Sequence, residues 1–140
     1  MTLEVTYKTD LHDIDWDEMK STLAEDRFDN GRTASELRES FENSRASVVA
    51  LLDDRIVGTA RALSDGVCSA YIVDVWTLST YRRRGIARKM MGMLQETLYG
   101  QHVYLFTDDA VDFYKAVGFE EQAVGLGKIV GTWLRRDAQR

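Results

Sequence analysis

The sequence predicts an α/β fold, a single domain in which helices flank a mixed, mostly antiparallel sheet with a central parallel pair of strands. Three observations predict it. First, residues Ala70 to Leu98 read as a strand, a loop and a helix (AYIVDVWTL, STYRRRG, IARKMMGMLQETL), and a short apolar strand from His102 to Phe106 follows. A strand, a helix and a second strand make a βαβ unit, with parallel strands and a right-handed crossover. Second, two apolar runs meet at Asp53-Asp54 and read as an antiparallel hairpin. Third, 140 residues at 44% hydrophobic content suffice for one compact core and are short for two.

The elements follow in order. Leu3 to Thr6 alternates apolar and polar side chains and is a first strand. Asp15 caps a helix with Trp16, Met19 and Leu23 on one stripe, running to about Asp26. Phe28 to Gly31 is a turn, and the loop between the helices carries Asp29 and Arg32, which are expected at the surface, with contact to a polar acceptor as the alternative. Thr33-Ala34-Ser35-Glu36 has the form of a capping box and starts a second helix with Leu37 and Phe41 on one face. Ser47 to Leu52 and Arg55 to Arg61 are the hairpin strands, and Ser64-Asp65-Gly66 turns the chain into the strand Ala70 to Leu78. Its near-continuous apolar character predicts burial on both faces. The next helix carries Ile86, Met90, Leu94 and Leu98 at four-residue spacing, and Gly100 ends it. Asp108 or Asp109 then caps a helix with Ala110, Phe113, Tyr114 and Val117 on one side, stopped by Gly118. Phe119 to Ala123 and Lys128 to Leu134 read as a final hairpin, which gives the order β-α-α-β-β-β-α-β-α-β-β.

Composition narrows the function. A net charge of −5 and a pI near 5.0 argue against a nucleic-acid partner. No apolar run approaches the roughly 18 residues of a membrane span, and the N-terminus lacks a basic region followed by an apolar one, so a cytoplasmic location with no membrane partner is expected. The one cysteine, Cys68, forms no internal disulfide, and two histidines with one cysteine give no metal-ligand spacing, so no metal is expected. Within this acidic chain Arg82-Arg83-Arg84-Gly85-Ile86-Ala87 places three cations and a glycine at the mouth of a helix. The unpartnered N–H groups and macrodipole of a helix N-terminus bind phosphates, and the arginines add charge-assisted bonds. A polyphosphate is expected there.

Arg82-x-x-Gly85-x-Ala87 after an apolar strand, with Val111-Asp112-Phe113-Tyr114 and Gly118-Phe119 later, resembles the acetyl-CoA-binding core of the Gcn5-related N-acetyltransferase superfamily. The element order is also the one that superfamily uses. Its small serotonin and arylalkylamine N-acetyltransferase-like members are echoed by Val57-Gly58-x-Ala60-Arg61-Ala62-x-Ser64-Asp65, Ile72-x-Asp74-Val75 and Leu105-Phe106-x-Asp108. The resemblance implies direct transfer of an acetyl group from acetyl-CoA, as cosubstrate, to a primary amine of a small molecule, an arylalkylamine among the candidates. It implies coenzyme A as ligand, held at the pyrophosphate by backbone amides of Arg83, Arg84, Gly85, Ile86, Ala87 and Arg88. The pantetheine arm would lie along Val75, Trp76, Thr77 and Leu78, where that strand splays from its parallel neighbour. Relatives commonly have proline after this strand; here Ser79 stands there and is expected to loosen the turn. A homodimer is expected from family habit and from an exposed edge of the final hairpin. The alternatives are a protein lysine or N-terminal acetyltransferase, and a CoA-sensing or partner-binding module without catalysis.

Acetyl transfer needs a group to take the amine's proton, a donor for the thioester carbonyl and a proton for the thiolate. Backbone N–H groups at the splay suit the second task. Tyr114 is the candidate acid, against simple packing beside Phe113. Asp74, a carboxylate in an apolar strand, is either the base or a structural carboxylate satisfied by backbone or arginine. Strict alternation puts Tyr71 and Val73 on the face opposite Asp74, a relation that a bulge would reverse. Asp108 is a second candidate base, against helix capping.

Overall fold

The computed structural model describes residues 4–135. It falls into two compact units, the first running to Asp108 and the second starting at Asp109.

The first unit holds one five-stranded sheet in the order β1-β2-β3-β4-β5, with β1 at Thr6–Lys8, β2 at Ala46–Leu52, β3 at Arg55–Ser64, β4 at Ser69–Thr77 and β5 at His102–Tyr104. The β1–β2, β2–β3 and β3–β4 pairs are antiparallel, and β4–β5 is parallel, as the βαβ reading requires. The first strand lies slightly later than the predicted Leu3–Thr6, and Leu3 falls outside the described residues. Asp53 and Asp54 turn the β2–β3 hairpin at φ +49° and +65°, the left-handed pair that the right-handed twist of a two-residue hairpin demands.

Helices α1 (Trp16–Glu25) and α2 (Ala34–Glu42) start where their caps place them. The Asp15 carboxylate accepts from Glu18 N–H at 2.9 Å. Thr33 and Glu36 form both bonds of a capping box, Glu36 N–H to Thr33 Oγ1 at 3.1 Å and Thr33 N–H to Glu36 Oε1 at 2.8 Å. Met19, Leu23, Leu37 and Phe41 are buried beneath them. Glu18 ties α1 to the sheet by accepting from Ile56 N–H at 2.7 Å. Helix α3 (Ile86–Thr97) covers the other face, and Ile86, Met90, Leu94 and Leu98 are all buried, as their spacing predicts. Gly58 makes room for it. A Cβ there would lie 3.1 Å from Met90 Cε, 3.2 Å from the Trp76 carbonyl oxygen and 3.3 Å from Ala50 Cβ.

Strand β4 departs from its prediction in two ways. It is not buried on both faces, because Tyr71, Val73, Asp74 and Val75 are only half-buried. It is also not regular. Thr59 pairs with Trp76 but Arg61 pairs with Val73, so Asp74 and Val75 together oppose Ala60 as a bulge, with Asp74 at φ +55°.

In the second unit, α4 spans Val111–Ala116. Its N-cap is Ala110 with no side-chain bond, so neither Asp108 nor Asp109 caps it. Phe113, Tyr114 and Phe119 form an edge-to-face cluster, with Tyr114 centroids 5.0 Å from Phe113 and 5.9 Å from Phe119. The predicted final hairpin is not formed among the described residues. From Phe119 to Gly131 there is no strand, and only a 3₁₀ turn at Trp133–Arg135 follows. Gly131 interrupts the second apolar run, and Val124, Leu126 and Val130 are 88%, 92% and 86% exposed, with no strand of their own unit among the described residues to pack against. The hairpin edge that suggested a homodimer is therefore absent from the described residues.

Candidate functional site

The site grows from the end of β4. β5 pairs with β4 from Ser69↔His102 as far as Tyr71↔Tyr104, so from Ile72 to Thr77 the edge of β4 that would face it has no partner strand among the described residues. Along that edge the direction of the peptides can be derived. Leu78 N–H donates to Val57 C=O at 2.8 Å, so by alternation the N–H groups of Thr77 and Val75 face away from β3, toward the opening. The Val75 amide has a second, independent constraint. Asp74 C=O accepts from the Thr59 hydroxyl at 2.9 Å on the β3 side, and the Asp74–Val75 peptide is trans, so the N–H of the same peptide unit points the other way. Thr77 adds a buried hydroxyl, Oγ1, without a hydrogen-bond partner, while its carbonyl accepts from Arg82 Nε at 3.1 Å.

The chain then passes a single 3₁₀ turn, Ser79–Tyr81, and enters α3. Gly85 is the N-cap of α3 at φ +83° and offers no side-chain bond, unlike Asp15 and Thr33. Nothing lies within 4 Å of where its Cβ would stand. The glycine therefore satisfies a backbone angle and leaves open space over the first turn, whose N–H groups lack intrahelical acceptors. Arg82, Arg83, Arg84 and Arg88 are exposed around it. Val75, Trp76, Thr77 and Leu78 and the run Arg83 to Arg88 are thus brought together as one continuous wall, a strand edge leading into a helix mouth.

Asp26, the C-cap of α1, was not singled out from the sequence, yet it holds this wall in place. Its Oδ2 accepts from Trp76 Nε1 at 2.9 Å and from Ser79 N–H at 3.1 Å, with Arg82 at 3.7 Å. Burial pushes the Asp26 carboxyl up, but the bonds from Ser79 and Trp76 and the Arg82 charge outweigh it and leave the carboxyl below its ordinary range. Ser79 therefore fastens the turn it was expected to loosen, through an N–H that proline lacks. The only sequence signal was an acidic residue at the end of a helix, where the dipole disfavours it.

Asp74 meets arginine. Arg32 donates to both carboxylate oxygens, Nη1 to Oδ2 at 3.1 Å and Nη2 to Oδ1 at 3.0 Å, and Arg61 Nε donates to Oδ2. Arg32 is 6% exposed rather than at the surface, with its Nε donating to Asn30 at 2.9 Å. Arg61 also reaches Ser44 Oγ at 3.2 Å and lies 5.7 Å over the Phe41 ring. The bulge brings the Asp74 carboxylate onto Arg61, the register partner of Val73, so strict alternation fails here. Of the two readings, the carboxylate satisfied by arginine is the geometry found. Asp29, which shared the loop with Arg32, accepts from Lys20 at 2.8 Å.

Asp108 is exposed at the end of the first unit, where its sequence position placed it. Tyr114 belongs to the second unit, half-buried, and burial with the nearby Asp109 charge raises its phenol above the ordinary value of 10.0. His102 is an exposed edge residue stacked on Tyr104 at 4.1 Å, and Cys68 is exposed in its turn. Tyr71 meets Phe106 edge to face at 6.0 Å beside the splay, and Phe106 is 71% exposed. Among the described residues no group of His, Cys, Asp or Glu has the arrangement of a metal site, and no helix is long and apolar enough to cross a membrane.

Residues 8–119 match the family model described as the acetyltransferase (GNAT) family. Over 76 residues the chain is 34% identical to a histone acetyltransferase from Glycine max, covering 51% of this chain and 33% of that protein. It spans about a third of the length of the curated relatives it matches. Among solved structures, a GNAT-family acetyltransferase from Streptococcus pneumoniae superposes with a TM-score of 0.76 at 24% identity, over 91% of this chain and 98% of the other. The glucosamine-6-phosphate N-acetyltransferase of Arabidopsis thaliana superposes at 0.74 and 16% identity, over 91% and 99%. At these identities the likeness is one of fold.

Proposed function

Because the chain belongs to the acetyltransferase (GNAT) family, we propose that it moves an acetyl group from acetyl-CoA directly to a primary amine of a small molecule. The observation that carries this reading is the continuous wall from the open edge of β4 to the uncapped, left-handed Gly85 mouth of α3. The residues present fit the cosubstrate. Space without a Cβ stands over the α3 amides, and unpaired N–H groups line the strand edge above it. Arg83 to Arg88 would hold the pyrophosphate and Val75 to Leu78 the pantetheine arm. When bound, acetyl-CoA supplies an activated thioester.

The chain's own groups do the rest. The Val75 N–H, aimed into the opening, would be the donor for the carbonyl oxygen on which charge develops. Tyr114 remains the proposed acid: burial raises its phenol, so at neutral pH it would hold a proton to supply to a thiolate. The amine's proton passes to water or to exposed Asp108. Asp74, with both oxygens bonded to guanidinium groups, is assigned to the strand rather than to the amine.

An arylalkylamine acceptor is supported by the sequence echoes and by the Tyr71–Phe106 aromatic pair beside the splay, which offers an exposed ring face. A protein-lysine acceptor is favoured by one observation, the 34% identity to a histone acetyltransferase. Thiol release from acetyl-CoA, followed with arylalkylamines, polyamines, aminoglycosides and lysine peptides, separates the two. Turnover with arylalkylamines alone is the expected result. Turnover with lysine peptides alone would transfer the assignment to protein substrates, and CoA binding without turnover on any acceptor would leave a sensing module.

A further inference from the structure

A carboxylate flanked by two arginines under a half-open strand is costly to bury, and its cost calls for a role. The Asp74, Arg32 and Arg61 side chains are 11%, 8% and 11% exposed, and the three come from β4, the α1–α2 loop and β3. Asp74 itself sits at φ +55° inside a strand, a left-handed angle that Asp tolerates better than most L-residues but that regular strand pairing does not contain. Thr59, 1% exposed, fixes the carbonyl of the same residue. Side chain and carbonyl of Asp74 are therefore both clamped, and what the two clamps orient is the next peptide N–H, that of Val75.

We infer that Arg32, Asp74, Arg61 and Thr59 are positioning residues for the Val75 amide, holding it aimed into the opening between β4 and β5. This rests on the acetyl-transfer reading. The cluster replaces a glycine, the usual occupant of such a bulge, with an ion-paired residue whose angle cannot relax. It also joins the α1–α2 loop to the reacting strand, because Arg32 bonds Asn30 in the loop and Asp74 in the strand with one guanidinium.

The test uses the full chain, ¹⁵N-labelled, with acetyl-CoA and CoA as probes, in wild type and in Thr59→Val and Asp74→Asn. Thr59→Val keeps shape and charge, so it remains informative where Asp74→Asn fails to fold. In wild type the Val75 amide resonance is expected to move with acetyl-CoA more than with CoA. In the variants that difference is expected to vanish, and slow hydrolysis of acetyl-CoA to fall by about 10²-fold at an unchanged CoA affinity. A loss in Asp74→Asn that is recovered at high pH marks a base and overturns the inference. Variants that keep both the resonance difference and the hydrolysis rate overturn it as well, while the acetyl-transfer reading stands. A wild type that binds neither probe ends that reading itself, and this inference with it.

Discussion

Gly85 is held at φ +83° with empty space where a Cβ would go. Gly85→Ala meets no clash, so its cost is conformational, about 1 kcal/mol of stability by denaturant titration. The same methyl group stands over the α3 amides, so CoA affinity is expected to fall by more than the stability change accounts for, as calorimetry would read it. Tyr114 makes the opposite kind of prediction. Burial raises its phenol above the ordinary value of 10.0, so no loss of turnover from its ionisation is expected across neutral pH. Tyr114→Phe is expected to keep CoA binding and lower kcat by about 10²-fold at every pH below that value. An unchanged kcat across that range would remove the phenol from the reaction.

The elements that were legible in the sequence are those whose signals are local. The Thr33–Glu36 capping box, the Asp15 cap, the Asp53-Asp54 turn and the α3 stripe each lie within a few residues, and the structure realises all four. Thr33→Ala is expected to cost about 1 kcal/mol, measured as a lowered urea midpoint with unchanged slope. Gly58→Ala tests the packing of α3 on the sheet. The added methyl would press on the fixed Trp76 carbonyl at 3.2 Å, and a destabilisation of about 1–3 kcal/mol is expected. What was not legible depends on pairs far apart in the chain. Arg32 and Asp74 are separated by 42 residues, and Asp26 and Ser79 by 53, so no periodicity could join them. The bulge at Asp74 was open for the same reason, since its cause lies in Arg32, Arg61 and Thr59. The final hairpin failed because alternating apolar residues make a strand only where another strand accepts them.

For the molecule as a whole, acid is the informative stress. Asp26 and Asp29 both sit below the ordinary carboxyl value of 3.8, Asp29 chiefly through its bond from Lys20. A lowered folded-state pKa contributes stability that is complete above the unfolded value and disappears as pH falls through the folded one. The melting temperature is therefore expected to drop as pH is taken below about 4, where these carboxylates are the last to take up protons. Asp26→Asn is expected to cost about 1 kcal/mol at pH 7, with the gap to wild type closing as pH falls through that window. A gap that stays constant down to full protonation would show that the Trp76 and Ser79 bonds do not depend on the charge. The α/β character of the first unit was legible because its βαβ unit and hairpin are local, whereas the wiring between its layers is not.

Ser79 has a bearing on protein engineering. Thermostabilised variants are often made by placing proline in turns that relatives already fill with it, and this position would be an obvious choice. Here proline would remove the N–H that joins the turn to Asp26, one of the two donors to that carboxylate oxygen. A consensus-guided Ser79→Pro would stiffen one turn and release its anchor, leaving a less heat-resistant molecule than the one it set out to improve.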